Sequence, residues 1–321
     1  MIGSKGRNLA LLGAGATVLA LLTFGWSFLS GKPRLSENQI NEIYAHPISP
    51  PAEALRVFHL GHSLVGRDVP AMLQQMSGIG HEYALQLGWG TPLKSHWEPD
   101  IPIQGFEEEN ATEKFRDAKE ALGSGQFDAF VATEMVEIAD AIKYHDSAKY
   151  LGLWADLAAT GNPDARIYLY ETWHNLDDPD GWLTRLDRDL DRYWEQELLF
   201  RATRKERPIH VIPVGQVFAR FVRAVEQAGG VDNVHSREAL FRKDAAGERD
   251  PIHVGDLGAY LVALTHYAVL YHRSPVGLPR ELLLADGSTA IAPGEQVARL
   301  MQDIVWQVVT SYPKSGVAQT P

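Results

Sequence analysis

A hydroxyl, an imidazole and a carboxylate stand at two distant places in this chain. Ser63 lies in Leu60-Gly61-His62-Ser63-Leu64, and Asp250 and His253 lie in Asp250-Pro251-Ile252-His253-Val254-Gly255-Asp256. A serine hydroxyl attacks poorly until a base removes its proton, and a carboxylate beside that base fixes the tautomer and orientation of the imidazole. These residue types specify acyl transfer through serine if the fold carries Ser63 to His253. Each piece also has a plainer reading: Gly61 and Ser63 as turn residues, and Asp250-Pro251 as a turn beside a surface histidine.

The elements that must position them follow from hydrophobic pattern. The apolar run Leu55–Leu60 reads as a buried strand just ahead of Ser63, with further strands at Tyr83–Leu87, Phe127–Ala132, Ile167–Tyr170 and Ile209–Val214. Helical spacing appears at Val69–Met76, Thr112–Leu122, Ser147–Ala159, Gly181–Arg204, Val217–Ala228 and Leu257–His272, and a closing helix is expected between Pro293 and Tyr312. That alternation predicts an α/β fold with a mostly parallel sheet covered on both faces. Asp68 and Asp256 are placed to cap the helices beginning beside them. Asp250 and His253 fall in a loop before a late helix. Ser63 falls on the turn after the first strand, where open parallel sheets bind ligands. The alternating charges within Leu183–Arg204 read as a solvated helix face.

Composition closes off other chemistries. The 321 residues are 45% apolar, enough for one large core. No cysteine is present, which excludes thiol nucleophiles, disulfides and thiolate metal sites. A net charge of -11 with no Lys/Arg cluster argues against nucleic acid as a partner. His59 and His62 would face opposite sides of a strand, His266 and His272 different sides of a helix, and no His-Glu-x-x-His occurs. Neither a metal nor another cofactor is expected.

Residues 1–31 read as a membrane anchor. Lys5 and Arg7 precede an uncharged stretch from Asn8 to Gly31. Its apolar part, from Leu9 to Leu29, matches the roughly 20 residues that cross hydrocarbon and exceeds the roughly 7–15 of a signal-peptide core. The expectation is a single-pass transmembrane helix in the cytoplasmic membrane, with the rest of the chain extracytoplasmic or periplasmic. Secretion after signal cleavage is the alternative. Residues 32–53, with Pro33, Pro47, Pro50 and Pro51, read as a stalk with a short helix from Glu37 to Tyr44. Residues 54–313 read as the folded domain and 314–321 as a loose tail.

Gly61-x-Ser63-Leu64 after a first strand, answered by Asp250-x-x-His253 before a late helix, resembles the SGNH/GDSL hydrolase superfamily over approximately Leu55 to Arg273. The resemblance implies a flavodoxin-like three-layer α/β/α sandwich with a mostly parallel five-stranded sheet. It makes Ser63 the nucleophile, His253 the general base and then acid, and Asp250 the residue that orients the imidazole. It also implies an oxyanion hole built from the Ser63 N–H, a glycine N–H after the second strand and an asparagine side chain after the third. Gly88 and Gly90, in Leu87-Gly88-Trp89-Gly90-Thr91, are the glycine candidates, a flexible bend being their other reading. The chain departs from the pattern twice. His62 replaces the usual Asp or Asn before the serine, and Thr133 or Glu134 occupies the place of the asparagine.

Several residues are candidates for touching substrate. His62 could line the pocket or be a turn residue, and Glu134 could position a hydroxyl or cation or tie the sheet edge. Glu171 and Trp173, in Tyr170-Glu171-Thr172-Trp173-His174, close the fourth strand and should open onto the same crevice. That segment is similar to one near the active site in a mostly uncharacterised, membrane-anchored bacterial subgroup of the superfamily. Trp173, Trp89 and Trp97 each offer a face to a sugar ring or a plane to the core. The resulting expectation is a serine esterase removing O-acyl groups, foremost O-acetyl, from a carbohydrate or cell-surface glycan. An O-acyltransferase using the same three residues, or a non-catalytic glycan-binding protein, are the alternatives.

Overall fold

The computed structural model describes residues 35–244 and 246–318. The anchor expected over 1–31 lies outside the described residues, among which no helix is long and apolar enough to cross a membrane.

Helices and strands alternate as the apolar pattern demands. In chain order they are α1 (Glu37–Ile43), β1 (Arg56–His62), α2 (Asp68–Ser77), β2 (Glu82–Gly88), α3 (Leu93–Trp97), α4 (Phe106–Asn110), α5 (Ala118–Gly123) and β3 (Ala129–Ala132). Then follow α6 (Ile138–His145), α7 (Ser147–Gly161), β4 (Arg166–Glu171), α8 (Trp182–Asp189), β5 (Ile209–Pro213) and α9 (Val214–Gln227). The chain ends with β6 (Phe241–Lys243), β7 (Arg249–Val254), α10 (Asp256–Tyr271) and α11 (Glu295–Ser311). Strands β1 to β5 form one parallel sheet in the order β2-β1-β3-β4-β5. In that order the topological switch point lies between the neighbouring strands β1 and β3, whose onward connections lead to opposite edges of the sheet.

Both faces of this sheet are covered, because successive strand residues point to opposite sides. Val57, Val131, Tyr168 and Ile212 pack against α2, α9, α10 and α11. Phe58, Leu60, Phe130, Leu169 and Val211 pack against α7 and the far end of the helix begun by α8. Helix α10 is buried from Gly258 to Tyr271, and so shows no polar stripe. After Asp189 the α8 helix widens into π-helical turns, Leu190–Leu199, before a last α turn, Phe200–Ala202.

The structure alters several expectations. The stretch read as a stalk joins the second core: Ile40 is buried, and the Tyr44 hydroxyl donates to the Ile209 carbonyl at 2.7 Å. The folded unit therefore takes in the described residues from Leu35 onward. The expected loose tail is also docked, since Ser315 and Val317 are buried and the Ser315 hydroxyl bonds the Val309 carbonyl. Only Ala118–Gly123 of the helix expected over Thr112–Leu122 forms, because Phe115 runs alongside β2 as a bridge to Leu85. Asp68 and Asp256 open their helices without capping them. Their carboxylates accept instead from the Ala285 N–H (2.9 Å) and the Ile291 N–H (2.6 Å), fastening the loop between α10 and α11. Asp250 and His253 lie not in a loop but on β7, paired antiparallel with β6.

Candidate active site

Ser63 is the first residue beyond β1. A tight turn holds it there, the Val65 N–H returning to the His62 carbonyl at 2.9 Å with Gly66 at φ +59. The β6–β7 hairpin brings His253 to it: His253 Nε2 lies 2.9 Å from Ser63 Oγ, and His253 Nδ1 lies 2.9 Å from Asp250 Oδ2. An ionised carboxylate only accepts, so Nδ1 carries the proton and Nε2 is left to accept from the serine hydroxyl.

The spacing Asp-x-x-His does local work. Asp250 Oδ1 accepts the N–H groups of Ile252 (3.0 Å) and His253 (2.8 Å), folding the segment around its own carboxylate. Partial burial pushes the Asp250 carboxyl upward. The two backbone N–H groups, the imidazole and the Arg242 guanidinium (Nε to Oδ2, 3.0 Å) outweigh it and hold the acid well below the ordinary carboxylate range.

Ser63 and His253 line a cavity of about 1060 Å³. Gly90 also lines it, whereas Gly88 is buried beneath, hemmed by Ile103 and Thr91. The N–H groups of Ser63 and Gly90 donate to no acceptor among the described residues. Two backbone donors on residues that line the cavity are thus uncommitted, as the donors of an oxyanion hole must be.

The exit of β3 supplies no side-chain donor. The Thr133 hydroxyl is buried and donates to the Tyr170 carbonyl at 2.8 Å. Glu134 is buried too, its Oε1 accepting from Leu93 N–H (3.2 Å) and Met135 N–H (2.8 Å), and burial raises its acid to about 7. His62 borders the cavity but is only 2% exposed. Its Nε2–H donates to the Glu134 carbonyl at 2.9 Å, and burial lowers its pKa to about 4. His96 acts similarly, its Nε2–H donating to the Gly61 carbonyl at 2.9 Å. His62, His96 and Glu134 are buried ties that lock together the loops after β1, β2 and β3.

The remaining candidates separate in the same way. Trp89 lines the cavity half-exposed, its indole N–H donating to Glu109 at 2.8 Å. Trp97 does not border the cavity; it packs edge-on against Trp154 with centroids 4.9 Å apart. Glu171 is buried and receives the Gln216 side-chain amide at 3.1 Å, burial raising its acid to about 8. Trp173 is buried against Phe218, and its indole N–H donates to the Ile252 carbonyl at 2.7 Å. It braces β7 without reaching the cavity.

Three lining residues escaped sequence reasoning. Asn175, two positions past Trp173, is exposed in the cavity, and its side-chain amide has no partner among the described residues. Arg67 follows Ser63 on the same turn, and Arg242 sits on β6. The hairpin carrying Arg242 had a signal in Asp244 and Gly247, whose backbone closes the turn at 3.0 Å. Among the described residues one cluster, Glu137, His174 and Asp189, has donors that could converge on a metal. The Arg185 guanidinium already occupies the cation's place, 2.6 Å from both Glu137 and Asp189.

No protein-family model and no curated protein matches the chain. Among solved structures it is similar to a DUF4886 family protein from Bacteroides uniformis: 14% identity, 82% of this chain and 96% of that one covered, TM-score 0.52. It aligns more loosely with a putative platelet activating factor from Streptococcus pneumonia, at 13% identity over 80% and 100% of the chains and a TM-score of 0.39. A carbohydrate esterase family 2 enzyme from Corynascus thermopiles aligns at 12% identity over 51% and 58%, with a TM-score of 0.30. At these identities the first likeness speaks for the α/β fold alone, and the other two carry no argument.

Proposed function

We propose that this chain is a serine esterase of the SGNH type that removes O-acyl groups, foremost O-acetyl, from a carbohydrate. The observation that carries the reading is the unbroken contact from Asp250 through His253 to Ser63, at 2.9 Å on each side of the imidazole. A strand order of β2-β1-β3-β4-β5, with the serine on the turn after β1, agrees with the superfamily's architecture.

In this reading Ser63 Oγ attacks the ester carbonyl carbon while His253 Nε2 takes its proton. The carbonyl oxygen, now negative, accepts from the N–H groups of Ser63 and Gly90, with the Asn175 amide as a third donor in place of the missing asparagine. The carbon–oxygen bond to the sugar then breaks, and the imidazolium returns its proton to the departing hydroxyl. A water molecule loses a proton to His253 and attacks the acyl carbon; the bond from that carbon to Ser63 Oγ breaks, His253 returns the proton to Oγ, and the carboxylic acid leaves. Asp250 stays ionised throughout and holds the Nδ1–H tautomer. No step calls for a cofactor.

The half-exposed Trp89 supports a carbohydrate as the alcohol, because a flat indole in a cavity stacks on a sugar ring. Residues 1–31 would hold the catalytic part on the extracytoplasmic side. Incubation of the full-length protein with an aryl acetate, with and without a glycan acceptor, tests the proposal. Acetate release dependent on Ser63 supports hydrolysis, and acetylated acceptor as the main product would favour acyl transfer instead. Absence of both from a folded sample contradicts both.

A further inference from the structure

Within this esterase reading, we propose that Arg67 and Arg242 select esters whose non-reacting part carries an anionic group, as in an acidic glycan. Both side chains line the cavity that holds Ser63, and they reach it from different elements: Arg67 from the start of α2, Arg242 from β6. Arg67 is exposed, and its side chain makes no hydrogen bond or ion pair with any described residue. Arg242 commits only Nε, to Asp250, leaving both terminal nitrogens without a protein acceptor.

The cavity's own carboxylates, Asp68, Glu109 and Asp286, keep their charge but make no ion pair with either guanidinium. Asp68 accepts the Ala285 N–H at 2.9 Å, Asp286 accepts the N–H and hydroxyl of Ser288 at 2.8 and 2.6 Å, and Glu109 accepts the Trp89 indole. These acids build the cavity wall, whereas the guanidinium forks are left facing solvent. A guanidinium presents parallel N–H donors that match a carboxylate or phosphate edge, and it stays charged at every working pH. Arg242 shares the Asp250 carboxylate with His253, which ties its guanidinium to the catalytic set. The ligand chemistry is a sugar-borne oxyanion, with uronate carboxylate and sugar phosphate monoester as its two sources.

Two measurements test this. Binding of a galacturonate oligomer, a galactose oligomer and galactose 6-phosphate to the Ser63→Ala protein is measured first. Then kcat/KM is compared on acetylated galacturonan and acetylated neutral galactan, for the unaltered protein, Arg67→Gln, Arg242→Gln and Arg242→Lys. The unaltered protein should favour the acidic substrate, and each Gln variant should cut that preference by about tenfold through KM, the loss of one charge-assisted contact. Arg242→Lys should recover part of it, and added salt should weaken it. Tighter binding of the galacturonate than of the phosphate identifies the carboxylate source; the reverse identifies phosphate. An acid-to-neutral preference that is absent, or unchanged in both Gln variants, overturns the inference while leaving the esterase reading intact. Arginine-dependent binding of an acidic oligomer without turnover of any ester keeps the inference and overturns the esterase reading instead.

Discussion

The indole N–H of Trp173 reaches the carbonyl of Ile252 at 2.7 Å, and the Leu176 N–H reaches the neighbouring Pro251 carbonyl at the same distance. The stretch leaving β4 thus grips the strand between Asp250 and His253. Trp173 acts on the site from beneath, through the backbone that carries the imidazole.

Trp173→Phe keeps the stacking plane against Phe218 and removes one donor. Leaving a buried carbonyl unpaired costs about 1–3 kcal/mol. We expect kcat to fall by about tenfold with KM within about twofold, because a displaced base weakens the transition state more than substrate binding. Steady-state kinetics check this. An unchanged kcat in a variant with a lowered melting temperature would confine Trp173 to stability.

The two glycines after β2 should respond differently. Gly88→Ala puts a methyl group into Ile103 and Thr91, and so should lower stability by about 1–3 kcal/mol. Gly90 has open space around it but a φ of +53. Gly90→Ala should therefore fold with a smaller loss, about 1 kcal/mol, while kcat drops by about 10²-fold as the loop relaxes and its N–H turns away. Thermal melts beside kinetics separate the outcomes, and a Gly90→Ala enzyme of full activity would remove this glycine from the oxyanion hole.

Stability should peak at about pH 7. Burial lowers His62, His81, His96, His210, His266 and His272 to about 4, so the folded protein keeps them neutral while the unfolded chain protonates them below about 6.5. Their contribution is present above the unfolded value and is lost as pH falls toward 4, up to roughly 3 kcal/mol for each of the fully buried His62, His96 and His266. Glu134 and Glu171 act oppositely. Burial raises them to about 7 and about 8, so ionising them in place costs stability as pH rises, a cost absent below about 4.5. Six histidines outweigh two acids below about pH 7, and the acids prevail above it. Melting temperature against pH measures this, and a peak at pH 5 or below would contradict it.

Glu134→Gln should isolate one of those terms. A glutamine oxygen can still accept the Leu93 and Met135 N–H groups, yet carries no charge to bury. The variant should match the unaltered protein at pH 4 and exceed it in melting temperature at pH 8.5. Equal melting temperatures at both pH values would mean that the carboxyl is ionised without penalty.

How much of this was legible in the sequence depends on the range of each signal. Strand positions were readable because buried parallel strands are short apolar runs, and the placement of Ser63 on the turn after β1 followed from them. What a side chain bonds across space was not readable. Glu134, Glu171 and Trp173 sit where crevice residues should, but each turns inward to a partner far off in sequence: Leu93, Gln216 and Ile252. Asp68 and Asp256 looked like caps because their positions fit, and lost that role to the N–H groups of Ala285 and Ile291. The β6–β7 hairpin was hidden by its charge, since Arg242, Lys243, Arg249 and Asp250 lack the apolar alternation that marks a strand.

The central claim is that His253 makes the Ser63 hydroxyl nucleophilic. Treatment with a fluorophosphonate, followed by intact mass and peptide mapping, tests it most directly. The account predicts a single adduct on the Ser63 peptide, absent in Ser63→Ala and slowed by at least about 10³-fold in His253→Ala. A folded protein that stays unmodified, or one modified at Ser63 equally fast without His253, would contradict it.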